Sequence, residues 1–315
     1  MRTLVVGAGA TGGYFGGRLL EAGRDVTFLV RPRRAAELAE VGLRVRSPYG
    51  DLTVLAPPAI GPENLAEYFD LILLSCKAYD LDSAMESFAP AVGPETAILP
   101  LLNGMQHLQI LGARFEPERI LGGQCIIAAT LNEKREIIHL NDAHSISFGE
   151  LDGTTSKRVK AIELALNGAK FDVHASPEIL QVMWEKWVIL ATLAGGTCLM
   201  RASLGDIARS PEGIDFMLRL LEECRSIATA EGYPPSEEFL DRTRGRLTDT
   251  SSPLTASMFR DIENHAPVEA DHVIGDLLER GDRHGLVKSG CSVLRIVYTQ
   301  LKAYESRRKD RLRDI

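Results

Sequence analysis

Three glycines near the start of the chain constrain its fold more than any other feature. Residues 3–6 form a short apolar run, and Gly7, Gly9 and Gly12 follow it with the spacing G-x-G-x-x-G. Helical periodicity comes next, and a second apolar run occupies residues 25–30. In a strand, helix, strand unit such glycines permit a tight turn, close approach of backbone to a pyrophosphate, and packing of helix on strand. The pattern predicts a dinucleotide-binding βαβ unit.

The backbone of this glycine stretch is the predicted anion site. Amides freed at the start of the helix would bind the pyrophosphate. The predicted contacts are therefore the consecutive residues Gly7, Ala8, Gly9, Ala10, Thr11 and Gly12. A glycine-rich turn that binds nothing is the alternative.

The end of the second predicted strand indicates which dinucleotide is bound. In NAD and FAD sites an acidic residue usually stands there and accepts hydrogen bonds from the adenosine ribose. Here Arg31 occupies the position, with Arg33 and Arg34 close behind. A guanidinium binds a 2′-phosphate through charge-assisted hydrogen bonds, whereas a carboxylate repels it. The sequence thus favours NADP(H) over NAD, and a solvated surface arginine is the alternative.

Two further apolar runs end in polar residues. The run beginning at residue 69 leads to Lys77, and the run beginning at residue 96 leads to the Asn103-Gly104 turn. In a doubly wound sheet, ligands bind beyond the carboxyl ends of the strands. We therefore expect Lys77 and Asn103 to point toward the cofactor. A surface lysine and a turn-forming asparagine are the alternatives.

The length of 315 residues makes two domains the default expectation. Strand patterns continue around one helix to about residue 175, and helical periodicity dominates afterwards. The predicted architecture is α/β: a Rossmann-type, doubly wound N-terminal domain at 1–175 and an all-helical C-terminal domain at 176–315. The first helix of the second domain is predicted to start at Ser176 and to end at Gly195-Gly196.

Composition excludes several other classes of protein. The net charge is −7, which argues against a nucleic-acid surface. The five cysteines, Cys76, Cys125, Cys198, Cys224 and Cys291, form no C-x-x-C pair, and the histidines lack metal-ligand spacing. Neither a disulfide scaffold nor a metal site is expected. There is no signal-peptide pattern and no apolar run long enough for a membrane span, so a soluble, cytoplasmic protein is expected.

One lysine stands in an unusually apolar context. Lys186 lies between two tryptophans in the segment VMWEKWVIL and shares a helix face with Val182, Met183, Leu190 and Ala194. In one account its stem carries the ammonium to the surface beside an acidic partner. In the other it faces a cleft between the domains, where desolvation makes the ammonium a usable acid.

These features together resemble the ketopantoate reductase (2-dehydropantoate 2-reductase) family over essentially the whole chain. The resemblance rests on GAGATGGYFGGRL, Arg31, CKAYD, LLNGM, MWEKW and ASMFRDIENHAPVEADHVIGDLL. The last three segments, in this order, are the most specific. Within the final segment, Ser257 opens an S-M-x-x-D run, and Glu269 follows twelve residues later.

The resemblance implies a role for each matching position. The glycine stretch and Arg31 would bind NADPH, and Lys77 and Asn103 would line the cofactor and reaction site. Lys186 would be the general acid that protonates the developing alkoxide while hydride passes to the carbonyl of a 2-oxo acid. Ser257 would contact the substrate. Glu269 would lie near the nicotinamide ribose and orient the lysine. The physical reading agrees, because an ammonium both stabilises and protonates an oxyanion.

The sequence departs from the family pattern at the predicted substrate positions. The family usually carries asparagines four and eight residues after the lysine, where Leu190 and Ala194 stand here, and Leu204 replaces a third polar residue. An unpaired buried substrate hydroxyl costs roughly 1–3 kcal/mol. Ketopantoate, which is reduced to pantoate in pantothenate biosynthesis, is the first expected substrate. A more apolar 2-oxo acid is the alternative.

Two other hypotheses remain at this stage. A β-hydroxyacid dehydrogenase relative would also pair a Rossmann domain with a helical one and use a lysine, although the run from Ser257 to Glu269 argues against it. An NADP(H)-binding sensor without turnover would keep the glycines and Arg31 but would have no reason to keep Lys186, Ser257 and Glu269 together. The resemblance also implies a homodimer.

Overall fold

The structure, a computed structural model, describes residues 1–288 and 292–313, so Cys291 lies outside the described residues. The chain divides into two compact units. The first unit comprises Met1–Leu102 and His107–Ile179. The second comprises Asn103–Gln106 and the chain from Leu180 onward. The short segment Asn103–Gln106 therefore groups with the helical unit although its neighbours in sequence belong to the first.

The first unit alternates strands and helices. Its strands are β1 (Thr3–Val6), β2 (Val26–Leu29), β3 (Leu43–Arg46), β4 (Leu52–Val54), β5 (Ala59–Ile60), β6 (Phe69–Leu74), β7 (Val92–Pro100), β8 (Leu121–Leu131), β9 (Ile137–Glu150) and β10 (Asp172–Ala175). Its helices are α1 (Ala10–Glu21), α2 (Pro32–Val41), α3 (Leu81–Phe88), α4 (Gln106–Phe115) and α5 (Lys157–Leu166). A short 3₁₀ helix, Ala78–Asp80, precedes α3.

The central sheet is parallel, with the strand order β5-β2-β1-β6-β7. Successive side chains of a strand point to opposite faces, and both faces of this sheet are covered. In β1, Val5 joins one buried cluster, whereas Leu4 and Val6 join the other. This burial on both faces explains why β1 is apolar throughout, and it confirms the predicted Rossmann-type sheet.

The strands after residue 120 build a second, mixed sheet. Its order is β10-β9-β3-β4, and β8 pairs antiparallel with β9. Strand β3, which follows α2 in sequence, pairs with β9 in this second sheet and does not belong to the central sheet. The cluster containing Val5 also contains residues of this second sheet, among them Ile137 and Phe148.

A cluster of aromatic and imidazole rings lies in the first unit, between α1 and the second sheet. The Tyr14 hydroxyl hydrogen-bonds His144 Nδ1 at 2.7 Å, and the Tyr49 ring stacks on His144 with centroids 3.8 Å apart. The His139 ring lies 5.5 Å from that of His144. Burial and the neighbouring His139 lower the pKa of His144. The cluster therefore favours neutral His144.

We expect this cluster to make the first unit sensitive to mild acid. The unfolded chain protonates His144 near pH 6.5, whereas the folded state resists protonation below that pH, so stability falls as the pH drops through this window. Carboxylates with a lowered pKa change the pH dependence of stability only below about pH 4.5. In the second unit, burial lowers the pKa of His272, which adds to this loss, and raises the pKa of Asp276, which acts in the opposite direction. Between pH 7.5 and pH 5.5, the melting temperature should fall less for His144→Gln than for wild type. An equal fall in both proteins would contradict the expectation.

The second unit is helical. Its helices are α6 (Ile179–Met200), α7 (Leu204–Arg209), α8 (Gly213–Ala230), α9 (Glu237–Leu247), α10 (Ser257–Glu263), a π-helix (Asp271–Gly275), α11 (Asp276–Arg283) and α12 (Val293–Arg313). Within the described residues, no helix has both the length and the apolar character needed to cross a membrane.

The end of α6 differs from the prediction. Gly195 and Gly196 lie inside the helix, which continues to Met200. A Cβ at Gly195 would lie 2.9 Å from Leu220 Cδ2, and one at Gly196 would lie 2.3 Å from Met217 Sδ. Both of these partners lie on α8. The predicted helix stop was wrong because these glycines serve close packing of α6 on α8, which sequence spacing alone does not reveal.

Candidate functional site

The glycine loop of the first unit has the geometry of an anion site. Gly7 adopts φ +95°, and a Cβ at Gly12 would lie 2.1 Å from Ser75 Oγ and 2.2 Å from the Gly7 carbonyl oxygen. A Cβ at Gly9, by contrast, would meet nothing within 4 Å. Gly9 is the N-cap of α1 and provides no side-chain cap. The start of α1 is thus open where a pyrophosphate would approach, and these residues fit a dinucleotide.

Arg34 fixes this loop, a role that sequence reasoning missed. Its Nε donates to the Ala8 carbonyl oxygen at 3.0 Å, and its Nη1 donates to Glu37 at 3.0 Å. The side chain is buried. The sequence groups Arg34 with Arg31 beside the predicted phosphate site, but the structure uses its charge inside the fold. Only the spacing from Arg34 to Glu37, a helical i, i+3 pair, hints at this in the sequence.

Arg31 lies where the sequence predicts, after β2 and at the N-cap of α2. Its guanidinium is exposed and donates to Asp80 Oδ1 at 2.7 Å and to Ser83 Oγ at 3.3 Å. The hydrogen bond to Asp80 raises the pKa of Arg31. Asp80 ends the 3₁₀ helix that follows β6. The structure thus brings two strand ends together through one ion pair.

Lys77 is at the same edge of the central sheet. It is the N-cap of the 3₁₀ helix and is half-buried. Two residues before it, Ser75 donates from its hydroxyl to the Val6 carbonyl at 2.9 Å. That bond ties the end of β6 to the end of β1, whose glycine loop follows directly. Lys77 and Gly7 therefore follow the ends of two adjacent strands, and the predicted contact of Lys77 with the cofactor stays a prediction.

In the second unit, the Asn103-Gly104 turn is fixed by His272 of the π-helix. The His272 ring hydrogen-bonds the backbone of Asn103. Gly104 adopts φ +75°, and a Cβ there would lie 2.7 Å from the His272 carbonyl oxygen and 3.2 Å from its ring Cδ2. Burial lowers the pKa of His272, opposed by Glu269 and Asp276. The turn can therefore sit against His272 only because residue 104 has no side chain.

The residues on either side of Lys186 are anchored to other elements of the second unit. Trp187 Nε1 donates to the Val273 carbonyl in the π-helix at 2.8 Å. Glu185 accepts hydrogen bonds from the backbone and hydroxyl of Ser236, at 2.9 and 2.8 Å. Lys186 itself is half-buried. Because both neighbours are fixed, the backbone position of Lys186 and the direction of its Cα–Cβ bond are fixed too.

Buried rings and charges support this part of α6. Trp184 stacks on Tyr233 with centroids 5.7 Å apart. The Arg280 guanidinium lies 5.5 Å from the Trp184 ring centroid and 5.6 Å from that of Trp187. Arg280 also donates to Asp276 at 3.0 Å and to Glu231 at 2.5 Å. These ion pairs hold the Arg280 guanidinium against the two tryptophans that flank Glu185 and Lys186.

The π-helix links three of the predicted site residues. Glu269 is buried and stands two residues before the π-helix begins. Within the π-helix, His272 fixes the Asn103 turn, and the Val273 carbonyl accepts a hydrogen bond from the tryptophan next to Lys186. Short π segments inside helices often occur at functional sites. The structure thus attaches both the Asn103 turn and the part of α6 that carries Lys186 to the irregular segment that follows Glu269.

Ser257 lies on α10, outside the π-helix. It is exposed and is the first residue of α10. The preceding amide, Ala256 N, donates to the hydroxyl of Thr197 on α6 at 3.3 Å. This bond fixes the start of α10 to α6, eleven residues beyond Lys186. The contact of Ser257 with a substrate stays a prediction.

The three apolar replacements differ in their surroundings. Leu190 is half-buried and Ala194 is buried, one and two turns beyond Lys186 on α6. Leu204 is fully buried at the start of α7, where its amide donates to the Leu254 carbonyl at 3.0 Å. Leu204 is therefore a core residue, whereas Leu190 and Ala194 continue the helix face that carries the lysine.

The fold and these residues define a two-domain Rossmann oxidoreductase, with a dinucleotide loop in one unit and a lysine and a carboxylate in the other. The chain belongs to the ketopantoate reductase family. Residues 3–153 match the family "Ketopantoate reductase PanE/ApbA", and residues 178–305 match its C-terminal domain.

Known relatives span nearly the whole chain. The "Uncharacterized oxidoreductase YkpB" of Bacillus subtilis is 37% identical over 97% of this chain and 99% of its own length. The crystal structure of 2-dehydropantoate 2-reductase from Geobacter metallireducens is similar with a TM-score of 0.87, at 27% identity, covering 96% of this chain and 99% of that one. D-mandelate dehydrogenase, solved with NADH and anilino(oxo)acetate, shares the fold with a TM-score of 0.86, at 21% identity over 98% and 100% of the two chains.

Membership of this family confirms three predictions: the resemblance, the fold class and an oxidoreductase that uses NAD(P)H. The alternatives of a β-hydroxyacid dehydrogenase relative and of a sensor without turnover were wrong. Among the described residues, no three His, Cys, Asp or Glu side chains cluster in a way that could hold a metal ion. The predicted homodimer, the cytoplasmic location and the individual site residues stay predictions.

Proposed function

We propose that this protein reduces the carbonyl group of a 2-oxo acid to a hydroxyl group at the expense of NADPH, with ketopantoate as the first candidate substrate. That reaction would place it in pantothenate biosynthesis. The observation that carries the proposal is Lys186, half-buried on α6 between two anchored neighbours. The segment that anchors Trp187 follows directly after the buried Glu269.

The first unit supplies the cofactor site in this proposal. A bound reduced nicotinamide dinucleotide would supply the hydride. The amides at the start of α1, beginning at the open position Gly9, would bind its pyrophosphate. Arg31 would bind a 2′-phosphate, because its exposed guanidinium offers charge-assisted donors. Lys77, on the neighbouring strand end, would add a second positive charge.

The second unit supplies the proton. Reduction of a carbonyl places negative charge on its oxygen, and a positioned ammonium lowers the energy of that charge and then donates its proton. In our proposal Lys186 is this general acid. Glu269 would orient the lysine, and Asn103, held by His272, would position the reacting groups. Ser257 would contact the substrate.

A second candidate substrate class is favoured by Leu190 and Ala194. They lie four and eight residues after Lys186, on the same helix face, and neither side chain can form a hydrogen bond. A polar substrate group packed there would lose its water partners without replacement, at roughly 1–3 kcal/mol for each group. A 2-oxo acid with an apolar side chain avoids this cost.

Oxidation of NADPH by the purified protein would test the proposal. Ketopantoate would be compared with two apolar acids, 4-methyl-2-oxopentanoate and phenylglyoxylate, by their kcat/KM. Turnover of any of them supports the reaction type. Binding of NADPH without oxidation by any 2-oxo acid would refute it.

The substitution Leu190→Asn separates the two substrate classes. If an apolar acid is preferred, we expect the variant to raise kcat/KM for ketopantoate relative to that acid by about tenfold, the equivalent of one recovered hydrogen bond. Leu199→Asn, also half-buried but nine residues from Leu190 and therefore on the opposite face of α6, is the matched control and should leave the ratio unchanged. Equal ratios in all three proteins would show that this face does not contact the substrate.

A further inference from the structure

Asp80 is the carboxylate that neutralises Arg31. Its Oδ1 accepts from Arg31 Nη2 at 2.7 Å, and the two side chains are 35% and 69% exposed, respectively. Ser83 strengthens the arrangement, since its hydroxyl lies 3.3 Å from the same Arg31 nitrogen and donates to the Asp80 carbonyl at 3.0 Å. The guanidinium that would bind a 2′-phosphate is therefore already paired.

The position of Asp80 also bears on the choice between NAD and NADP(H). Dinucleotide sites selective for NAD place a carboxylate after the second strand, where it accepts hydrogen bonds from the ribose hydroxyls. Here that position is Arg31. The structure supplies a carboxylate beside the Arg31 guanidinium from another element, the 3₁₀ helix after β6. One ion pair thus presents both a donor suited to a phosphate and an acceptor suited to a hydroxyl.

We propose that Asp80 is a specificity-determining residue that narrows the preference for NADPH over NADH. This inference rests on the proposed function. With NADPH, the 2′-phosphate must share Arg31 with Asp80 or displace it, and it must tolerate the negative charge of Asp80. With NADH, the carboxylate can remain paired with Arg31 and accept a hydrogen bond from the ribose. The wild-type protein is therefore expected to bind both dinucleotides.

The size of the effect follows from the charges involved. An exposed ion pair contributes little by itself, so Arg31 can exchange Asp80 for a phosphate. The repulsion between a carboxylate and a phosphate that carries up to two charges is the larger contribution. Removal of that repulsion is expected to strengthen NADPH binding by about tenfold, whereas NADH binding should weaken by about twofold or stay unchanged.

The test compares dissociation constants of NADPH and NADH, measured by isothermal titration without substrate, in wild type and Asp80→Asn. Asparagine keeps the shape of the side chain and removes the charge. Asp82→Asn removes the same charge two residues further along, at an exposed position in the first turn of α3, and serves as the matched control. We expect the ratio of the two constants to change in Asp80→Asn and not in Asp82→Asn.

The variant Arg31→Ala completes the test. Without the guanidinium, NADPH binding should weaken by at least about tenfold. Adding Asp80→Asn to this variant should restore only the part of the lost affinity that is due to repulsion between the carboxylate and the phosphate. An unchanged ratio in Asp80→Asn, or an equal change in the Asp82 control, would overturn the inference while leaving the proposed reductase intact. Failure of wild type to bind either dinucleotide would instead overturn the proposed function.

Discussion

Replacement of Lys186 by alanine is expected to lower kcat for 2-oxo acid reduction by about 10²–10⁴-fold, the usual contribution of a general acid. The dissociation constant of NADPH should stay within about twofold of wild type, because the predicted dinucleotide contacts of the glycine loop and Arg31 lie in the first unit. Steady-state kinetics and nucleotide titration would measure the two quantities separately.

The variant Lys186→Arg distinguishes the charge of the side chain from its proton. A guanidinium keeps the positive charge but does not release a proton at neutral pH, so little activity should return. Lys170→Ala, which removes an exposed lysine paired with Glu21, is the matched control and should retain full activity. Full activity of Lys186→Ala would remove Lys186 from the mechanism and would require another acid.

A methyl group at Gly104 is expected to lower the free energy of unfolding by about 2–3 kcal/mol, since it adds both backbone strain and a steric clash. The strain arises because Gly104 adopts φ +75°, and the clash arises because the new Cβ would lie 2.7 Å from the His272 carbonyl oxygen. Displacement of the turn would also move Asn103, so kcat should fall. Chemical denaturation and steady-state kinetics would measure both effects.

The matched control for this change is Gly23→Ala. Gly23 has nearly the same backbone angle, φ +72°, but a Cβ there would meet nothing within 4 Å. This control therefore reports the strain without the clash, a loss of about 1 kcal/mol. If Gly104→Ala lost no more stability than Gly23→Ala, the close packing of the turn on His272 would be refuted.

Much of the fold could be predicted from local patterns. The glycine spacing and the apolar runs of β1 and β2 predict the βαβ unit because strand burial and tight turns depend on residues close in sequence. The division of the strands into two sheets could not be predicted, since β3 at Leu43–Arg46 pairs with the distant β9 at Ile137–Glu150. The true end of α6 was missed for the same reason: Gly195 and Gly196 pack against α8.

The candidate site shows the same division. Motifs mark Gly9, Arg31, Lys77, Asn103 and Lys186 because each follows a recognisable strand end or sits in an unusual context. The partners of these residues stand within the quoted segments CKAYD, MWEKW and ASMFRDIENHAPVEADHVIGDLL, but no local pattern shows which residues they contact. Asp80, His272 and Trp187 gain their roles only from contacts with residues distant in the chain.

Local sequence patterns were sufficient to predict the glycine loop as a dinucleotide site, the order of an α/β domain before a helical one, and the family to which the chain belongs. These depend on spacings within a few residues, where backbone geometry and side-chain periodicity leave few alternatives. The folded chain was needed to show that Arg31 is paired with Asp80 and that a π-helix connects Glu269, the Asn103 turn and the tryptophan beside Lys186. Those arrangements depend on which distant side chains meet, and that is settled by packing of the folded chain.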